Sequence, residues 1–461
     1  MAGAHVRRPS RTTRAPADKA RQDAERPASP REHVPAGGRA HARARTKEFE
    51  VADLSLADEG QARIEWAGEQ MPVLAQLRTR FERERPIEGV ALAACLHVTA
   101  ETANLVSTLG AGGARVALCS ANPLSVQDDV AAALVAVDGV EVRASHGEDL
   151  ASYSRHVQAL LDGDPQVTLD DGADLLVGAH ERGGAVLEGL IGGTEETATG
   201  LVRLRRLEQE ERLACPVFAV NEARTERSLN DRHGTGQSAL DGIVRASHVL
   251  LAGHTVVIVG YGWAGRGIAE RARGAGAHVV VCEIDPLAGL EARMAGYEVM
   301  PALSAAERGD VFVTVTGSRR VLRGEHFERM KDGALLANAG HFDVEIDLVE
   351  LRALARSVRS VRPLVEQYVL DDGRRLNLLA SGRVVNLAAG EGHPAAVMDV
   401  SFALQALCVE ELVRLGGELE HRVLPVPAAI DREVGRLKLQ ALDVAIDEPT
   451  ADQSGYRESW A

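Results

Sequence analysis

The chain has 461 residues, 45% of them hydrophobic, and a formal net charge of −15 at pH 7. This length exceeds what a single hydrophobic core usually serves, so it predicts two or three domains. The acidic balance argues against a nucleic-acid partner, and no apolar stretch is long enough to cross a membrane. The five scattered cysteines show neither a CxxC pair nor Cys/His ligand spacing, which predicts a reducing, cytoplasmic location and no metal site.

Residues 1–46 differ in composition from the remainder of the chain. They are rich in Arg, Pro, Ala and Ser and lack apolar periodicity. Such a segment buries too little apolar surface to offset its ordering entropy, so we predict a disordered basic extension. Two interpretations stay open, a dispensable extension and a basic arm that binds a partner.

From Lys47 the chain alternates between helical and strand patterns. Helices are predicted over residues 53–84 and 125–135, whereas apolar runs predict strands at 90–96, 115–119 and 167–169. This alternation predicts a parallel sheet, whose ligands bind beyond the carboxyl ends of the strands. Polar residues cluster at several positions of this kind: His97, 122–128, 170–174 and 192–197.

A glycine-rich turn marks the second half of the chain. Gly260, Gly262 and Gly265 follow the apolar run 255–259 with the spacing G-x-G-x-x-G, and an Ala-rich helical pattern comes next. In a dinucleotide-binding turn these glycines permit a tight turn, close approach of the pyrophosphate and close helix–strand packing. Glu283 ends the next apolar run, where an acid accepts hydrogen bonds from the ribose of NAD and disfavours NADP. The turn therefore predicts NAD as the cofactor.

Further apolar runs at 311–315 and 334–337 continue the second alternating set, and residues 386–394 return to polar, site-like motifs. A chain that leaves one domain, builds a cofactor domain and comes back forms a two-segment hinge over a cleft. We predict an α/β fold with two parallel-sheet domains, a Rossmann NAD-binding domain being inserted in a discontinuous α/β substrate domain. The predicted bounds are 47–238 and 391–430 for the substrate domain, 239–390 for the NAD domain and 431–461 for a C-terminal tail.

Collinear sequence blocks resemble the adenosylhomocysteinase (S-adenosylhomocysteine hydrolase) family. They are HVTAETANLV, ANPLSVQDDVAAAL, LDDGADL, GGTEETATG, YGWAGRG, TVTG, DGALLANAGHFDVEID and NLAAGEGHPAAVMDVSFALQAL. The resemblance implies an adenine nucleoside as substrate, tightly held NAD, a closing hinge and a homo-oligomer, which we expect to be a tetramer or a dimer.

The resemblance also implies a reaction. A nucleoside 3′-hydroxyl is oxidised by hydride transfer to NAD, and the resulting ketone acidifies the C4′–H bond. A base removes that proton, the 5′-substituent leaves, water adds to the 4′,5′-ene, and the 3′-ketone is reduced again. In such enzymes the protein orients the groups and supplies the proton transfers.

Matching residues take their expected roles from the same resemblance. Asp171 would handle the 4′-proton, His97 would serve as acid and base for the 5′-leaving group or water, and Glu196 would hold ribose hydroxyls. His341 would belong to the catalytic site. The residues expected at NAD are Thr197, Thr199, Gly260, Gly262, Gly265, Glu283, Thr316, Asn338 and Asn386; those expected at the substrate are Thr99, Glu101, Gln127, His393 and Met398.

One segment departs from the family pattern of a Thr-Lys pair followed by Asp-Asn. Glu226 stands at the position of the active-site lysine, and the Asp-Asn pair is reversed to Asn230-Asp231. A unit charge ~5 Å from an oxyanion is worth about 3 kcal/mol at an effective dielectric constant near 20. Exchanging a cation for a carboxylate therefore raises the barrier by about 6 kcal/mol, or four to five decades in rate. The alternatives are a protonated Glu226, Glu226 as the base, a different pose of the substrate, or a local shift that brings Arg224 or Arg227 into the site.

Three functional hypotheses follow. The first is a diverged enzyme that stops after elimination, a nucleoside 5′-dehydratase that gives an exocyclic 4′,5′-ene in the synthesis of a modified nucleoside. The second is a conventional adenosylhomocysteine hydrolase. The third is a non-catalytic, NAD-binding regulatory homologue. The joint presence of His97, Asp171, Glu196 and His341 argues against the third hypothesis.

Overall fold

A computed structural model of the chain describes residues 49–458. The predicted basic extension over residues 1–46 and the last three residues of the predicted tail lie outside the described residues. Across residues 49–458, no helix is both long enough and apolar enough to cross a membrane.

The strands end close to the bounds that the apolar runs predict. They are β1 Glu50–Val51, β2 Ala91–Leu96, β3 Arg115–Ser120, β4 Glu141–Ala144, β5 Val167–Asp170, β6 Gly192–Glu195, β7 Val217–Ala219, β8 Thr255–Val259, β9 His278–Cys282, β10 Glu298–Val299, β11 Val311–Thr314, β12 Leu335–Asn338, β13 Ala355–Arg362, β14 Val365–Leu370, β15 Arg375–Leu379 and β16 Val423–Pro425.

The α-helices of the described residues mostly separate these strands. They are α1 Ala57–Gly68, α2 Pro72–Glu84, α3 Ala100–Ala111, α4 Asp128–Ala136, α5 Leu150–Leu161, α6 Asp174–Arg182, α7 Gly184–Glu188, α8 Ala198–Gln209, α9 Gly236–Ser247, α10 Trp263–Gly274, α11 Pro286–Met294, α12 Ala302–Ala306, α13 Gly324–Phe327, α14 Leu348–Ala353, α15 Val385–Ala388, α16 Ala395–Leu415, α17 Ala428–Ala441 and α18 Ala451–Glu458.

Two sheets confirm the predicted α/β class. The first has the strand order β1-β4-β3-β2-β5-β6-β7-β16, and all of its neighbouring strands are parallel. The second has the order β10-β9-β8-β11-β12-β15-β14-β13 and is parallel as far as β15, where an antiparallel extension of β14 and β13 follows. The sequence reading did not include that extension.

The chain returns to the first sheet after building the second. β16 pairs with β7, with Val423 opposite Val217. Helix α16 packs Phe402 and Leu404 into the same hydrophobic core as Leu92 of β2. The return therefore places the motifs of residues 386–425 beside those of the first alternating set, while the exact domain bounds stay a prediction.

The buried carboxylate of Asp399 anchors α16. It accepts hydrogen bonds from the first-turn N–H groups of α2, at Val73 (3.2 Å) and Leu74 (2.8 Å), and pairs with Lys438 of α17 at 2.8 Å. A carboxylate at a helix N-terminus satisfies donors that the helix leaves unpaired. Asp399 thus fixes the helix that carries Met398 and Phe402, two residues of the cavity lining.

Candidate active site

A cavity of about 570 Å³ lies at the carboxyl ends of strands from both sheets. From the first sheet, His97 follows β2, Asp171 follows β5 and Glu196 follows β6. From the second sheet, Thr316 lies just beyond β11 and His341 just beyond β12. This is the edge at which parallel sheets bind ligands.

Most of the residues that the sequence predicts for the site line this cavity. They are His97, Thr99, Glu101, Asp171, Glu196, Thr197, Thr199, Glu226, Asn230, Asp231, Gly262, Thr316, His341, Asn386, His393 and Met398. The predicted residues outside the lining are Gln127, Gly260, Gly265, Glu283 and Asn338.

His97 and Asp171 are in contact in the cavity, with Nε2 of His97 3.0 Å from Oδ2 of Asp171. The other ring nitrogen, Nδ1, lies 2.6 Å from the hydroxyl of Ser125. That hydroxyl donates its own proton to the carbonyl of Asn122 at 2.7 Å, so it accepts from Nδ1–H. Both ring nitrogens of His97 therefore face oxygen atoms, Nε2 that of Asp171 and Nδ1 that of Ser125.

His341 approaches Asp171 from the second sheet. Its Nδ1 lies 3.7 Å from Oδ1 of Asp171, and its ring centroid is 6.3 Å from that of His97. Burial lowers the pKa of His341, although Asp171 acts in the opposite direction. These three side chains also bring one possible ligand atom each within 4.8 Å of one another, so the absence of a metal site stays a prediction.

Two neighbouring carboxyl groups have opposite protonation preferences. Burial alone would raise the pKa of Asp171, but the imidazoles of His97 and His341 lower it to about 2. Burial, reinforced by Asp171 and Glu226, raises the pKa of Glu196 well above its ordinary value. Asp171 is therefore an ionised base beside a neutral carboxylic acid, a division of roles that active sites use for proton transfer.

The turn after Asp171 is held by a buried carboxyl group. Oε1 of Glu195 accepts hydrogen bonds from the N–H of Gly172 (3.0 Å) and of Thr197 (2.8 Å). Gly172 has φ +117°, a conformation that L-residues rarely adopt. Arg203 donates to the carbonyl of Gly172 and closes the turn from the other side.

A π-helix over Glu226–Thr235 carries Glu226, Asn230 and Asp231, the residues that the sequence predicts to depart from the family pattern. Its i→i+5 hydrogen bonding places Asn230 and Asp231 one wide turn beyond Glu226, and π-helical turns are frequent at functional sites. Glu226 is 1% exposed and Asn230 6% exposed. The side-chain amide of Asn230 donates to Oε1 of Glu226.

Glu226 itself, and no shifted arginine, occupies the buried position. Arg227 borders the cavity, but its guanidinium pairs with Glu222 at 3.2 Å. The backbone N–H of Arg224 donates to Asp431 at 2.9 Å. Burial, then the charge of Asp231, raises the pKa of Glu226 to about 8.

Asp231 also has a raised pKa, of about 7, because burial outweighs the attraction of Arg227. Glu226 and Asp231, both on this π-helix, therefore each gain or lose a proton near neutral pH. Such pKa values suit general acids and bases, which work best when their pKa lies near the working pH.

The glycine turn fits a dinucleotide. Gly260 has φ +105°, and a Cβ added to Gly265 would lie 2.1 Å from the carbonyl oxygen of Gly260. Gly262 lines the cavity at the N-terminus of α10, and a Cβ there would meet no described atom within 4 Å. The first and third glycines are thus required by the turn, whereas the second leaves space for the anion that a helix N-terminus attracts.

Other polar groups around the turn have distinct roles. Glu283 accepts hydrogen bonds from the N–H of Tyr261 at 2.6 Å and of Ile284 at 2.7 Å, so it also braces the turn. Oδ1 of the cavity-lining Asn386 is buried and has no hydrogen-bond partner among the described residues. This oxygen is an acceptor left available to a ligand.

Glu345 is a supporting residue that sequence reasoning missed. Its buried carboxylate accepts from the N–H and the hydroxyl of Thr316 (2.9 and 2.7 Å) and from the N–H of Gly317 (2.9 Å). Asn338 fixes the following loop through bonds to Gly340 and Phe342 instead of lining the cavity. The only sequence signal for Glu345 was its place in the block that contains His341.

Gln127 has a structural contact in place of the predicted position at the substrate. Its Oε1 accepts from the N–H of Ala100 at 3.1 Å, in the first turn of α3. The helix predicted over 125–135 likewise begins later, at Asp128, because Pro123–Ser125 form a short 3₁₀ helix that Asn122 caps. Ser125 and Gln405 were also missed; Ser125 contacts His97, and Gln405 donates to Glu196.

Comparison with known proteins agrees with this geometry. The family described as S-adenosyl-L-homocysteine hydrolase matches residues 48–188, and its NAD-binding domain matches residues 231–392. The chain is 54% identical over 411 residues to an adenosylhomocysteinase of Thermosynechococcus vestitus, covering 89% of this chain and 96% of that one. The chain belongs to the S-adenosyl-L-homocysteine hydrolase family.

Two further relatives of this family show similar agreement. An adenosylhomocysteinase of Aquifex aeolicus is 54% identical over 413 residues, covering 90% of this chain and 99% of that one. An S-inosyl-L-homocysteine hydrolase of Methanopyrus kandleri is 51% identical over 414 residues, with 90% and 97% covered. The predicted family and its cofactor, NAD, are thereby confirmed.

Proposed function

We propose that this member of the S-adenosyl-L-homocysteine hydrolase family is a nucleoside 5′-dehydratase. It oxidises the 3′-position of an adenine nucleoside, removes the 4′-proton, eliminates the 5′-hydroxyl as water and leaves an exocyclic 4′,5′-ene. The observation that carries the proposal is the buried carboxyl group of Glu226 at the position of the family's lysine.

The cavity lining offers little positive charge to an anionic group of a substrate. It includes the acids Glu101, Asp171, Glu196, Glu226, Asp231 and Glu391, whereas Arg227 is the only Arg or Lys among the described lining residues. A free nucleoside brings no charge into this environment. The homocysteine part of adenosylhomocysteine is a zwitterion, and its carboxylate would find only Arg227 as a cation of the described lining, a guanidinium that already pairs with Glu222.

Glu226 has the properties of a base for the 3′-hydroxyl. Its pKa of about 8 leaves a useful fraction ionised near neutral pH. Bound NAD supplies the hydride chemistry. When Oε2 of Glu226 takes the hydroxyl proton, the carboxyl group becomes neutral and no longer opposes charge on the sugar. The protonated carboxyl then donates a hydrogen bond to the 3′-oxygen as it becomes an enolate, as neutral acids do in oxyanion sites.

Elimination requires two further proton transfers. Asp171 accepts the C4′ proton, the C4′–C5′ double bond forms, and the C5′–O bond breaks. His97, whose two ring nitrogens face oxygen atoms, protonates the leaving oxygen, so that water departs. Reduction of the 3′-ketone returns the proton from Glu226. Asp171 passes the C4′ proton to His97, whose Nε2 lies 3.0 Å from its Oδ2, so the resting state is restored and the net reaction is loss of one water.

The second candidate is hydrolysis of adenosylhomocysteine. The names of the relatives at 54% identity support it. The third, a non-catalytic regulatory role, has little support, because His97, Asp171, Glu196 and His341 all line one cavity. A product assay with the purified protein separates the candidates: a free adenine nucleoside should give a product lighter by one water, and adenosylhomocysteine should release little adenosine.

Three broader properties belong to the same proposal: location, oligomeric state and domain segmentation. We expect a cytoplasmic homo-oligomer, either tetramer or dimer, with the substrate domain in segments 47–238 and 391–430 around the NAD domain. Light scattering of the holoenzyme measures the oligomer, and limited proteolysis locates the segment junctions.

A further inference from the structure

Three hydrogen bonds join four polar side chains beside the cavity. The amide nitrogen of Asn230 donates to Oε1 of Glu226. Nδ1 of His393 lies 2.6 Å from Oδ1 of Asn230, and Nε2 of His393 lies 3.1 Å from the hydroxyl of Thr235. Glu226, Asn230 and Thr235 belong to the π-helix, whereas His393 comes from the returning segment just before α16.

The donor and acceptor groups of these side chains allow only one direction for each of the three hydrogen bonds. The amide nitrogen of Asn230 is used for Glu226, so its oxygen faces His393 and can only accept. Nδ1 of His393 therefore carries the proton, and Nε2 accepts from Thr235. Burial lowers the pKa of His393 to about 4, in agreement with a neutral ring.

The backbone is adapted to this contact. A Cβ added to Gly234 would lie 2.8 Å from Oδ1 of Asn230 and 2.9 Å from Nδ1 of His393. Both distances are shorter than carbon contacts allow, so only glycine leaves room for the imidazole at this point of the π-helix.

The consequence for Glu226 is an asymmetric carboxyl group. Oε1 is held as an acceptor, whereas Oε2 is buried and has no hydrogen-bond partner within residues 49–458. The titratable groups that face Glu226 are Asp231, Asp171 and Glu196, and α16 contributes the hydroxyl of Ser401. Helix α10 meets the π-helix through the ion pair of Arg232 with Glu270.

We propose that His393 is a positioning residue, which through Asn230 makes Oε2 the oxygen of Glu226 that exchanges a proton with the substrate hydroxyl. This inference rests on the proposed function, because it assigns the proton acceptor of the 3′-oxidation. It predicts that positioning Glu226 requires a hydrogen-bond donor at the Nδ1 position of residue 393. The imidazole ring itself is not required.

Asn and Gln substitutions at position 393 separate the effect of the donor at Nδ1 from that of the ring as a whole. Asn at position 393 keeps a donor near the Nδ1 position, whereas Gln places its amide near the Nε2 position. The matched control is His248→Asn, at an exposed left-handed position that Asn tolerates. All variants are measured as NAD-loaded full-length protein, by the absorbance of reduced NAD in a single turnover with adenosine across the pH range.

His393→Asn and His248→Asn should keep the wild-type rise of the rate with pH. His393→Gln should move that rise by about one pH unit or more and lower the rate at least about tenfold, with a smaller change in substrate affinity. Equal pH profiles for the Asn and Gln variants at position 393 would overturn the proposal, since position 393 would then have only a packing role.

An infrared titration decides the point without turnover. The carboxyl band that Glu226→Gln removes reports the protonation of Glu226 directly. Its midpoint should be retained in His393→Asn and shifted in His393→Gln, and an unshifted midpoint in both would contradict the inference. If adenosine and other adenine nucleosides leave NAD oxidised while this band behaves as expected, the proposed function fails and the positioning role stands.

Discussion

Nε2 of His97 lies 3.0 Å from Oδ2 of Asp171, so the residue proposed as the acid for the leaving group directly contacts the residue proposed as the base for the 4′-proton. The two strands that carry them, β2 and β5, are hydrogen-bonded neighbours, with Cys95 opposite Asp170. Adjacent strand ends of one sheet therefore hold the two residues that the proposed mechanism uses for proton abstraction and leaving-group protonation.

Asp171→Asn should separate oxidation from elimination. The amide cannot accept the C4′ proton, so exchange of that proton with deuterated solvent should fall by about 10²–10⁴-fold. Reduction of bound NAD by the nucleoside should persist, because that step uses Glu226. Mass spectrometry of recovered nucleoside measures the exchange, and loss of NAD reduction in parallel with exchange would contradict this assignment.

Glu226→Lys should shift the enzyme from dehydration of the free nucleoside to cleavage of adenosylhomocysteine. A cation in place of the carboxylate recovers up to about 6 kcal/mol of interaction with an oxyanion, or four to five decades in rate, for adenosylhomocysteine cleavage. Dehydration of the free nucleoside should fall in the same variant. Glu210→Lys, an exposed charge reversal outside the cavity lining, is the control for net charge. No gain in homocysteine release would mean that this position did not redirect the chemistry.

Gly262→Ala should weaken NAD binding without unfolding the protein. A Cβ at Gly262 meets no described atom within 4 Å, yet it projects where the cavity reaches the N-terminus of α10. Gly274→Ala, in the same helix, also has open space and lies outside the cavity lining. Calorimetry should show at least about tenfold weaker NAD binding for Gly262→Ala only. Equal NAD affinities of the two variants would show that the turn does not contact NAD.

Glu226→Gln should alter how stability depends on pH. The pKa of Glu226 is raised from 4.5 to about 8 in the folded protein, so the folded state holds a proton that the unfolded state releases between these values. The free energy of unfolding therefore falls as pH rises across this window. Glutamine does not titrate, so the variant should gain several kcal/mol relative to wild type at about pH 8 and little at about pH 4.5.

Urea unfolding at saturating NAD measures that difference. Glu210→Gln removes an exposed carboxyl group and serves as the matched control. A stability difference between wild type and Glu226→Gln that stays constant across the window would show that Glu226 titrates normally.

Several parts of the fold followed from sequence patterns alone. Buried parallel strands such as β8 are continuous apolar runs, and the glycine spacing after β8 specifies the turn that a dinucleotide needs. The strand-end rule likewise placed His97 and Asp171 at one edge of the first sheet.

Other features have no comparable signal. A π-helix has no distinctive hydrophobic period, so the alignment of Glu226 with Asn230 was not foreseeable from spacing. The bonds from Glu345 to Thr316 and from Gln405 to Glu196 join residues distant in the sequence. Gln127 could not be separated from the cavity because a polar residue at a strand end serves equally as a cap or as a ligand contact.

The most direct test of the central claim is the product formed from a free adenine nucleoside by the NAD-loaded protein. Chromatography with mass spectrometry should detect a nucleoside lighter by one water, carrying the vinyl signals of a 4′,5′-ene, and little adenosine should be released from adenosylhomocysteine in parallel. Rapid release of adenosine and homocysteine, with no dehydrated nucleoside, would contradict the account.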